Sequence, residues 1–162
     1  MQTLTLPNEV LFEDIRRQIQ GGHTVTFTVR GWSMRPFLEH ERDRVLVGAI
    51  PERGVQVGDA VLAQEVHGRY ILHRVVEIRS DGSCILWGDG NIMGREVIAP
   101  GQVIGVVLGF YRPTGLRGPE RFFSADGEAW QHYSRWWMAK TPRQRRYWLL
   151  AYRILFKLRI IK

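Results

Sequence analysis

The sequence predicts a mainly β fold: a compact, partly closed antiparallel β domain with a short N-terminal helix and C-terminal helices. Between residues 23 and 112 short apolar strands alternate with Gly-rich turns, and hardly any helical pattern interrupts them. Helical periodicity is confined to the two ends of the chain. The chain has 162 residues, 44% of them hydrophobic and 24% charged, so it is long enough to bury a real core.

The first predicted element is an amphipathic helix over residues 9–20. Its apolar side chains recur at helical spacing, at Val10, Leu11, Phe12, Ile15 and Ile19. Asn8 is suited to cap its start, and Gly21-Gly22 ends it.

Six strands follow the helix. They are predicted over residues 24–29, 44–47, 57–63, 70–78, 84–87 and 103–110. His67-Gly68 and residues 80–83 have the composition of hairpin turns, and residues 88–91 (Gly-Asp-Gly-Asn) form a loop. Short strands joined in this way favour antiparallel pairing.

Residues 113–123 are predicted to be a linker, because two glycines and two prolines lie within residues 113–119. The linker separates the β domain with its helix (1–112) from a helical extension (124–162), in which Thr141-Pro142 marks a helix start. Charge is divided unevenly. Residues 1–134 carry 14 basic and 16 acidic side chains (net −2), whereas 135–162 carry nine basic and no acidic ones (net +9).

Composition excludes several classes of protein. Cys84 is the single cysteine, so an internal disulfide and a multi-cysteine zinc site are both excluded. His23, His40, His67 and His132 lack metal-ligand spacing and are interpreted as surface or packing residues. No signal peptide or transmembrane helix is recognisable, so we expect a cytoplasmic or peripherally membrane-associated protein. No cofactor or metal is expected.

One serine lies where a strand pattern stops. Gly31 can adopt backbone angles closed to other residues, and Pro36 fixes its own φ and restricts the residue before it. The turn between them should hold Ser33 in a single orientation, as a nucleophile requires. The alternative is a serine that only makes a local hydrogen bond in its turn.

A histidine in the fourth predicted strand is the candidate base. His73 shares a face with Ile71 and Val75, whereas Arg74 points the other way. Imidazole can accept the proton of a serine near neutral pH, and a Ser–His pair is the minimal activated nucleophile. Asp89 is the nearest acid of a suitable type to orient the imidazole. The alternative for His73 is a purely structural role as a packed core residue.

Four segments, in one order, resemble the conserved boxes of the signal peptidase and SOS-repressor peptidase superfamily. They are Gly31-Trp32-Ser33-Met34-Arg35-Pro36, Val57-Gly58-Asp59-Ala60-Val61, Ile71-Leu72-His73-Arg74-Val75-Val76 and Gly88-Asp89-Gly90-Asn91. The resemblance covers roughly residues 24–112 and implies the β fold of that superfamily. It also implies that Asp59 belongs to a structural turn.

The resemblance implies a role for each site residue. Ser33 would be the nucleophile and His73 the base, where most bacterial members have lysine and the endoplasmic-reticulum and archaeal-type enzymes have histidine. The oxyanion donors would be the backbone N–H of Ser33 and backbone near Gly31. For the acid, Asp89 is favoured, Glu96 is the alternative, and a Ser–His dyad without an acid stays open.

The resulting hypothesis is a serine endopeptidase that cleaves a leader or precursor peptide. The substrate would add as an extended strand beside the site. The main alternative is a catalytically inactive peptide-binding or regulatory module on the same fold. A further alternative is a membrane or nucleic-acid adaptor that acts through the basic tail.

The basic C-terminal segment has three possible interpretations. It can be a lid whose apolar face packs on the β domain, or an interfacial helix that contacts anionic membrane. Nucleic-acid binding is the third interpretation and is disfavoured, because no recognition motif accompanies the arginines and aromatic residues.

Overall fold

The computed structural model describes residues 8–115 and 118–158, and within them the predicted mainly β fold is confirmed. The elements are α1 (Asn8–Gln20), β1 (Val25–Thr28), β2 (Arg44–Gly48), β3 (Ala60–Gln64), β4 (Tyr70–Ile78), β5 (Cys84–Trp87), β6 (Glu96–Ile98), a 3-10 turn (Pro100–Gln102), β7 (Val103–Pro113), β8 (Glu120–Ser124), α2 (Glu128–Met138) and α3 (Pro142–Lys157).

All strand pairs in the sheet are antiparallel, in the order β1-β2-β7-β3-β4-β5-β6, and β8 pairs with β7. The sheet is open rather than partly closed, with β1 and β6 as its outer strands. The long strand β7 contacts β3 with its first half and both β2 and β8 with its second. It is therefore the central strand of the fold.

Helix α1 covers one side of this sheet with a narrow apolar stripe. Ile15 and Ile19 are buried in the larger of two hydrophobic clusters, and Phe12 packs against it. Val10 and Leu11 belong to the predicted stripe but are exposed. Only the positions that face the sheet are buried, because the helix lies on the surface of the domain.

Strand β4 separates two hydrophobic clusters, as the alternation of its side chains predicts. Arg74 pairs in register with Ala60, which lies in the larger cluster. His73 pairs in register with Val61, which lies in the smaller cluster together with Val75. Neighbouring residues of a strand point to opposite faces. The base candidate and the adjacent arginine therefore face different interiors.

Two strands occur where the sequence predicts none. β8 (Glu120–Ser124) occupies the end of the predicted linker and pairs with β7, while Thr114 N–H donates to the Pro119 carbonyl across the preceding turn at 3.1 Å. β6 (Glu96–Ile98) has only three residues, too few for a periodic pattern. Residues 1–7, 116–117 and 159–162 lie outside the described residues, and with them the N-terminal segment searched for a signal peptide and part of the linker.

The C-terminal extension packs against the sheet. In α2, Trp130 packs at a tilted angle on Phe110 of β7 and on Phe37, with ring centroids 4.7 and 3.8 Å away. Helix α3 begins as predicted, since the Thr141 hydroxyl accepts from the Gln144 N–H and Pro142 takes the first helical position. Among the helices of the described residues, none combines the length and apolar character that crossing a bilayer requires.

Candidate functional site

Ser33 lies five residues after the end of β1, in the turn over residues 31–36 (the serine turn). Gly31 has φ +96°, a conformation that side chains with a Cβ rarely adopt, so the predicted need for glycine is met. The Gly31 N–H donates to His40 Nδ1 at 3.0 Å, and the His40 ring packs edge-on against Trp32. Ser33 itself is half-buried. His40 therefore contacts the two residues that precede Ser33 and ties the start of the turn to the segment that follows it.

A buried carboxylate holds the segment that follows Ser33. Arg35 donates to Glu39 through Nε at 2.8 Å and Nη2 at 2.6 Å, and Glu39 is 1% exposed. The hydroxyl of Tyr152, in α3, donates to the same carboxylate at 3.0 Å. Burial raises the pKa of Tyr152, which keeps its hydroxyl protonated as a donor. The C-terminal helix therefore contacts the serine turn directly.

The carboxylate of Asp43 binds the end of the segment that follows the serine turn. This fully buried carboxylate accepts from the Glu39 N–H at 2.9 Å and from the guanidinium groups of Arg112 and Arg42. Burial opposes ionisation, but the hydrogen bonds from Arg112 and Arg42 outweigh it and hold the pKa of Asp43 below its usual value. Asp43 is therefore a charged anchor for the turn.

His73 is paired with Glu96, not with Asp89. The distance from His73 Nδ1 to Glu96 Oε2 is 2.9 Å, and the imidazole is 5% exposed. Glu96 lies on the outer strand β6 and reaches over β5 to the imidazole. A carboxylate on Nδ1 favours the tautomer with the proton on Nδ1, which leaves Nε2 free to accept one.

The prediction that Asp89 orients His73 is wrong. Both oxygens of the fully buried Asp89 carboxylate accept from Arg74, through Nε at 2.9 Å and Nη2 at 2.7 Å. Burial opposes the charge on Arg74, but Asp89 outweighs it and raises the pKa of the guanidinium. Arg74 also donates to the Ser134 hydroxyl at 2.7 Å. Asp89 therefore anchors the loop to β4 and α2.

The loop over residues 88–91 lies against the serine turn. Gly90 N–H donates to the Ser33 carbonyl at 2.7 Å. A Cβ at Gly88 would lie 2.5 Å from the Ser33 carbonyl oxygen and 3.0 Å from His73 Nε2. A Cβ at Gly90 would collide with the Trp32 carbonyl oxygen. Both glycines of this Gly-Asp-Gly-Asn loop are therefore required by close packing on the turn.

This packing brings the serine turn to the free nitrogen of His73. The two distances from the Gly88 position place the Ser33 carbonyl oxygen at most about 5.5 Å from His73 Nε2. No hydrogen bond joins Ser33 Oγ to His73 within the described parts of the chain. Catalytic contacts of this kind are often long before a substrate binds. The serine and the base are neighbours, and a direct bond between them is not formed.

Of the two predicted oxyanion donors, one is free and the other is already hydrogen-bonded within the protein. Among residues 8–115 and 118–158, no acceptor takes the Ser33 N–H, so this donor is free. The Gly31 N–H is already bonded to His40 Nδ1, so it is not available as the second donor predicted near Gly31. A donor that is bonded within the protein cannot also bind a developing oxyanion without losing that bond.

Three residues around the site make contacts that the sequence did not predict: His40, Glu39 and Arg74. Only Arg74 carried a signal, because an arginine beside the base candidate on a strand must find a partner in the opposite interior. Asp59 has the turn role that was expected, accepting from the Gln56 N–H and from Arg53. No cluster of metal-ligating side chains occurs in the part of the chain that the structure describes.

No protein-family model matches the chain, and no curated protein sequence matches it.

Proposed function

We propose that the protein is a serine endopeptidase in which Ser33 is the nucleophile and His73 the general base. The observation that carries this proposal is the arrangement around His73. Its Nδ1 is bonded to Glu96 at 2.9 Å, and its Nε2 lies beside the loop that packs on the Ser33 turn. Nucleophile, base and orienting acid then follow in the order that acyl transfer requires.

The chemistry needs only these groups. As Ser33 Oγ attacks the carbonyl carbon of the scissile bond, His73 Nε2 accepts the hydroxyl proton and later donates it to the leaving amine. Glu96 stabilises the imidazolium that forms between these steps. The free N–H of Ser33 donates to the oxyanion of the tetrahedral intermediate. Water then hydrolyses the acyl-enzyme by the same route, and no cofactor takes part.

The substrate class is an extended peptide, such as a leader or precursor segment. β1 pairs with β2 on one side only, and the chain runs from β1 towards Ser33. A peptide that adds to this edge would be aligned by main-chain hydrogen bonds and led to the serine. We also propose that the enzyme works in peripheral association with a membrane, through the exposed side of α3.

Cleavage of a defined peptide mixture tests the activity. The wild-type protein is incubated with a library of synthetic peptides, and new termini are identified by mass spectrometry. We expect cleavage at a limited set of sites, and loss of all these products in the Ser33→Ala and His73→Ala variants. Products that persist unchanged in both variants would refute the mechanism.

A second candidate is a non-catalytic peptide-binding module on the same fold. The observation that favours it is the missing hydrogen bond between Ser33 Oγ and His73. Such a module would bind peptides from the same library with equal affinity in the wild type and Ser33→Ala, and neither would release products. The same experiment therefore separates the two candidates.

A further inference from the structure

Helix α3 (Pro142–Lys157) is attached to the domain along one narrow side. The side chains on that side are buried or half-buried: Arg145, Leu149, Tyr152 and Phe156. Arg145 stacks on Trp87, with its guanidinium carbon 3.5 Å from the ring centroid, and burial lowers the pKa of its guanidinium. At about 100° per residue these four positions span only about 60° of the helix surface.

The opposite side of α3 is exposed and, beyond its first turn, apolar. Tyr147 is 74% exposed, Leu150 55% and Leu158, which caps the helix, 63%. Trp148, Ile154 and Leu155 are exposed on the same side. Together these positions cover an arc of about 160°. Leucine, isoleucine and tryptophan at neighbouring surface positions form a patch that water solvates poorly.

A stripe of exposed cations borders this apolar patch. Its members are Arg143, Arg146, Arg153 and Lys157. They lie within an arc of about 80° that starts beyond the attached side and overlaps the edge of the apolar side at Arg143. No acidic residue occurs anywhere from residue 135 to the end of the sequence, so the stripe has no neutralising partner of its own.

We propose that α3 docks on the surface of an anionic lipid bilayer, with its axis in the plane of the membrane. The apolar side of the helix enters the boundary of the acyl chains, and the basic stripe contacts lipid phosphates. This surface is independent of the peptidase chemistry, so the proposal stands whether or not Ser33 is a nucleophile.

Two other occupants fit the surface less well. Nucleic acid would use the cations and the aromatic rings, but Leu150, Ile154 and Leu158 have no stacking partner in a base. A second copy of the chain would cover the apolar side, but symmetric pairing would bring two basic stripes together without a carboxylate between them. An anionic bilayer provides acyl chains for the apolar side of α3 and phosphates for the basic stripe.

Docking would also orient the candidate site. Near the end of α3, Phe156 lies under the guanidinium of Arg35, at 5.5 Å, and Arg35 also lies over Trp32 at 5.6 Å. Trp32 is 60% exposed beside Ser33. Because Phe156 lies on the attached side of α3, the helix itself lies between the bilayer and the serine turn, and it separates the two by about 10 Å, one helix diameter.

Vesicle co-sedimentation with the full chain tests this proposal, and it uses the Ser33→Ala protein so that catalysis plays no part. We expect binding to vesicles of phosphatidylcholine with one third phosphatidylglycerol, and binding weaker by roughly tenfold or more to pure phosphatidylcholine. The triple variant Leu150→Ser, Ile154→Ser, Leu158→Ser should lose binding to a similar extent. Val66→Ser, at a 77% exposed position of the β3–β4 hairpin, is the matched control and should bind as the parent does.

A second variant tests the basic stripe separately, so that the result does not depend on whether the triple variant folds. Replacing Arg143, Arg146, Arg153 and Lys157 by glutamine leaves the attached side of α3 intact and should abolish the preference for anionic vesicles. Thermal unfolding of each variant shows that it is folded. The proposal is overturned if the folded triple variant binds vesicles as the parent does, if the parent binds duplex DNA but no vesicles, or if it forms a dimer that the triple variant cannot form and that excludes lipid.

Discussion

Glu96 and His73 are joined by a contact of 2.9 Å that spans the strand between them. Glu96 belongs to β6 and His73 to β4, and β5 lies in between. Arg74 is in register with Trp87, so the next residue of the loop, Gly88, comes opposite His73. Because Gly88 has no side chain, the Nε2 side of the imidazole stays open towards the serine turn. The geometry assigns Glu96 and Asp89 different roles.

Exchange of the two acids for their amides should separate these roles. Glu96→Gln should lower kcat for peptide cleavage by about 10²–10⁴-fold, because the amide stabilises neither the correct tautomer nor the imidazolium. Its free energy of unfolding should change by less than about 1 kcal/mol, since the residue is partly exposed.

Asp89→Asn is the matched comparison. It leaves the buried Arg74 guanidinium without its counter-charge and should lower the free energy of unfolding by about 3–5 kcal/mol. Kinetics and denaturant unfolding measure both variants. A folded Asp89→Asn protein without activity, beside a fully active Glu96→Gln protein, would reverse the assignment.

His40 should act as a positioning residue for the serine turn. His40→Ala removes the acceptor of the Gly31 N–H and should lower kcat by about tenfold, because the turn gains freedom around Ser33. His40→Gln keeps a side-chain acceptor and should restore part of the activity. A purely structural role would lower stability in both variants without this difference in kcat. His23→Ala, at an exposed position, is the control and should match the wild type.

The two glycines of the 88–91 loop should not tolerate a methyl group. Gly88→Ala and Gly90→Ala each force a Cβ into the backbone of the serine turn and should destabilise the protein by about 1–3 kcal/mol. Gly88→Ala should also reduce peptide binding, because the added Cβ lies beside His73 Nε2. Gly101→Ala is the control, since open space surrounds its Cα. Equal melting temperatures for all three variants would contradict the close packing described here.

Asp43 should make stability depend on pH in the acid range. The pKa of Asp43 is lowered in the folded state, so its contribution is complete above the unfolded value of about 3.9. The contribution is then lost as the pH falls through the lower, folded value. The free energy of unfolding should therefore decline below about pH 4.

Asp43→Asn isolates this contribution. At pH 7 it should cost about 3 kcal/mol, because two arginines lose their shared anion, and the decline below pH 4 should become shallower. Asp14→Asn, at a half-exposed position on the surface of α1, is the control and should change the free energy of unfolding at pH 7 by less than about 0.5 kcal/mol. Parallel pH profiles for the wild type and Asp43→Asn would contradict a lowered pKa at Asp43.

Much of the fold could be predicted from local patterns. The helix before residue 21, the strands around His73 and the start of α3 at Thr141 follow from periodicity and capping, which neighbouring residues determine. The strand β8 could not, because its five residues resemble a loop until β7 supplies hydrogen-bond partners. The open sheet likewise depends on which strands meet, and local patterns do not contain that information.

The candidate site likewise combines features that local sequence predicts with features that depend on long-range contacts. The position of Ser33 in a glycine-led turn and the opposite orientations of His73 and Arg74 could be predicted, since both follow from backbone geometry over a few residues. Which acid contacts which partner depends on how distant strands pair. β6 pairs with β5 in a register that carries Glu96 to His73, and the buried charge of Arg74 takes Asp89. Register and burial are long-range properties, because they are set by strands far apart in the chain.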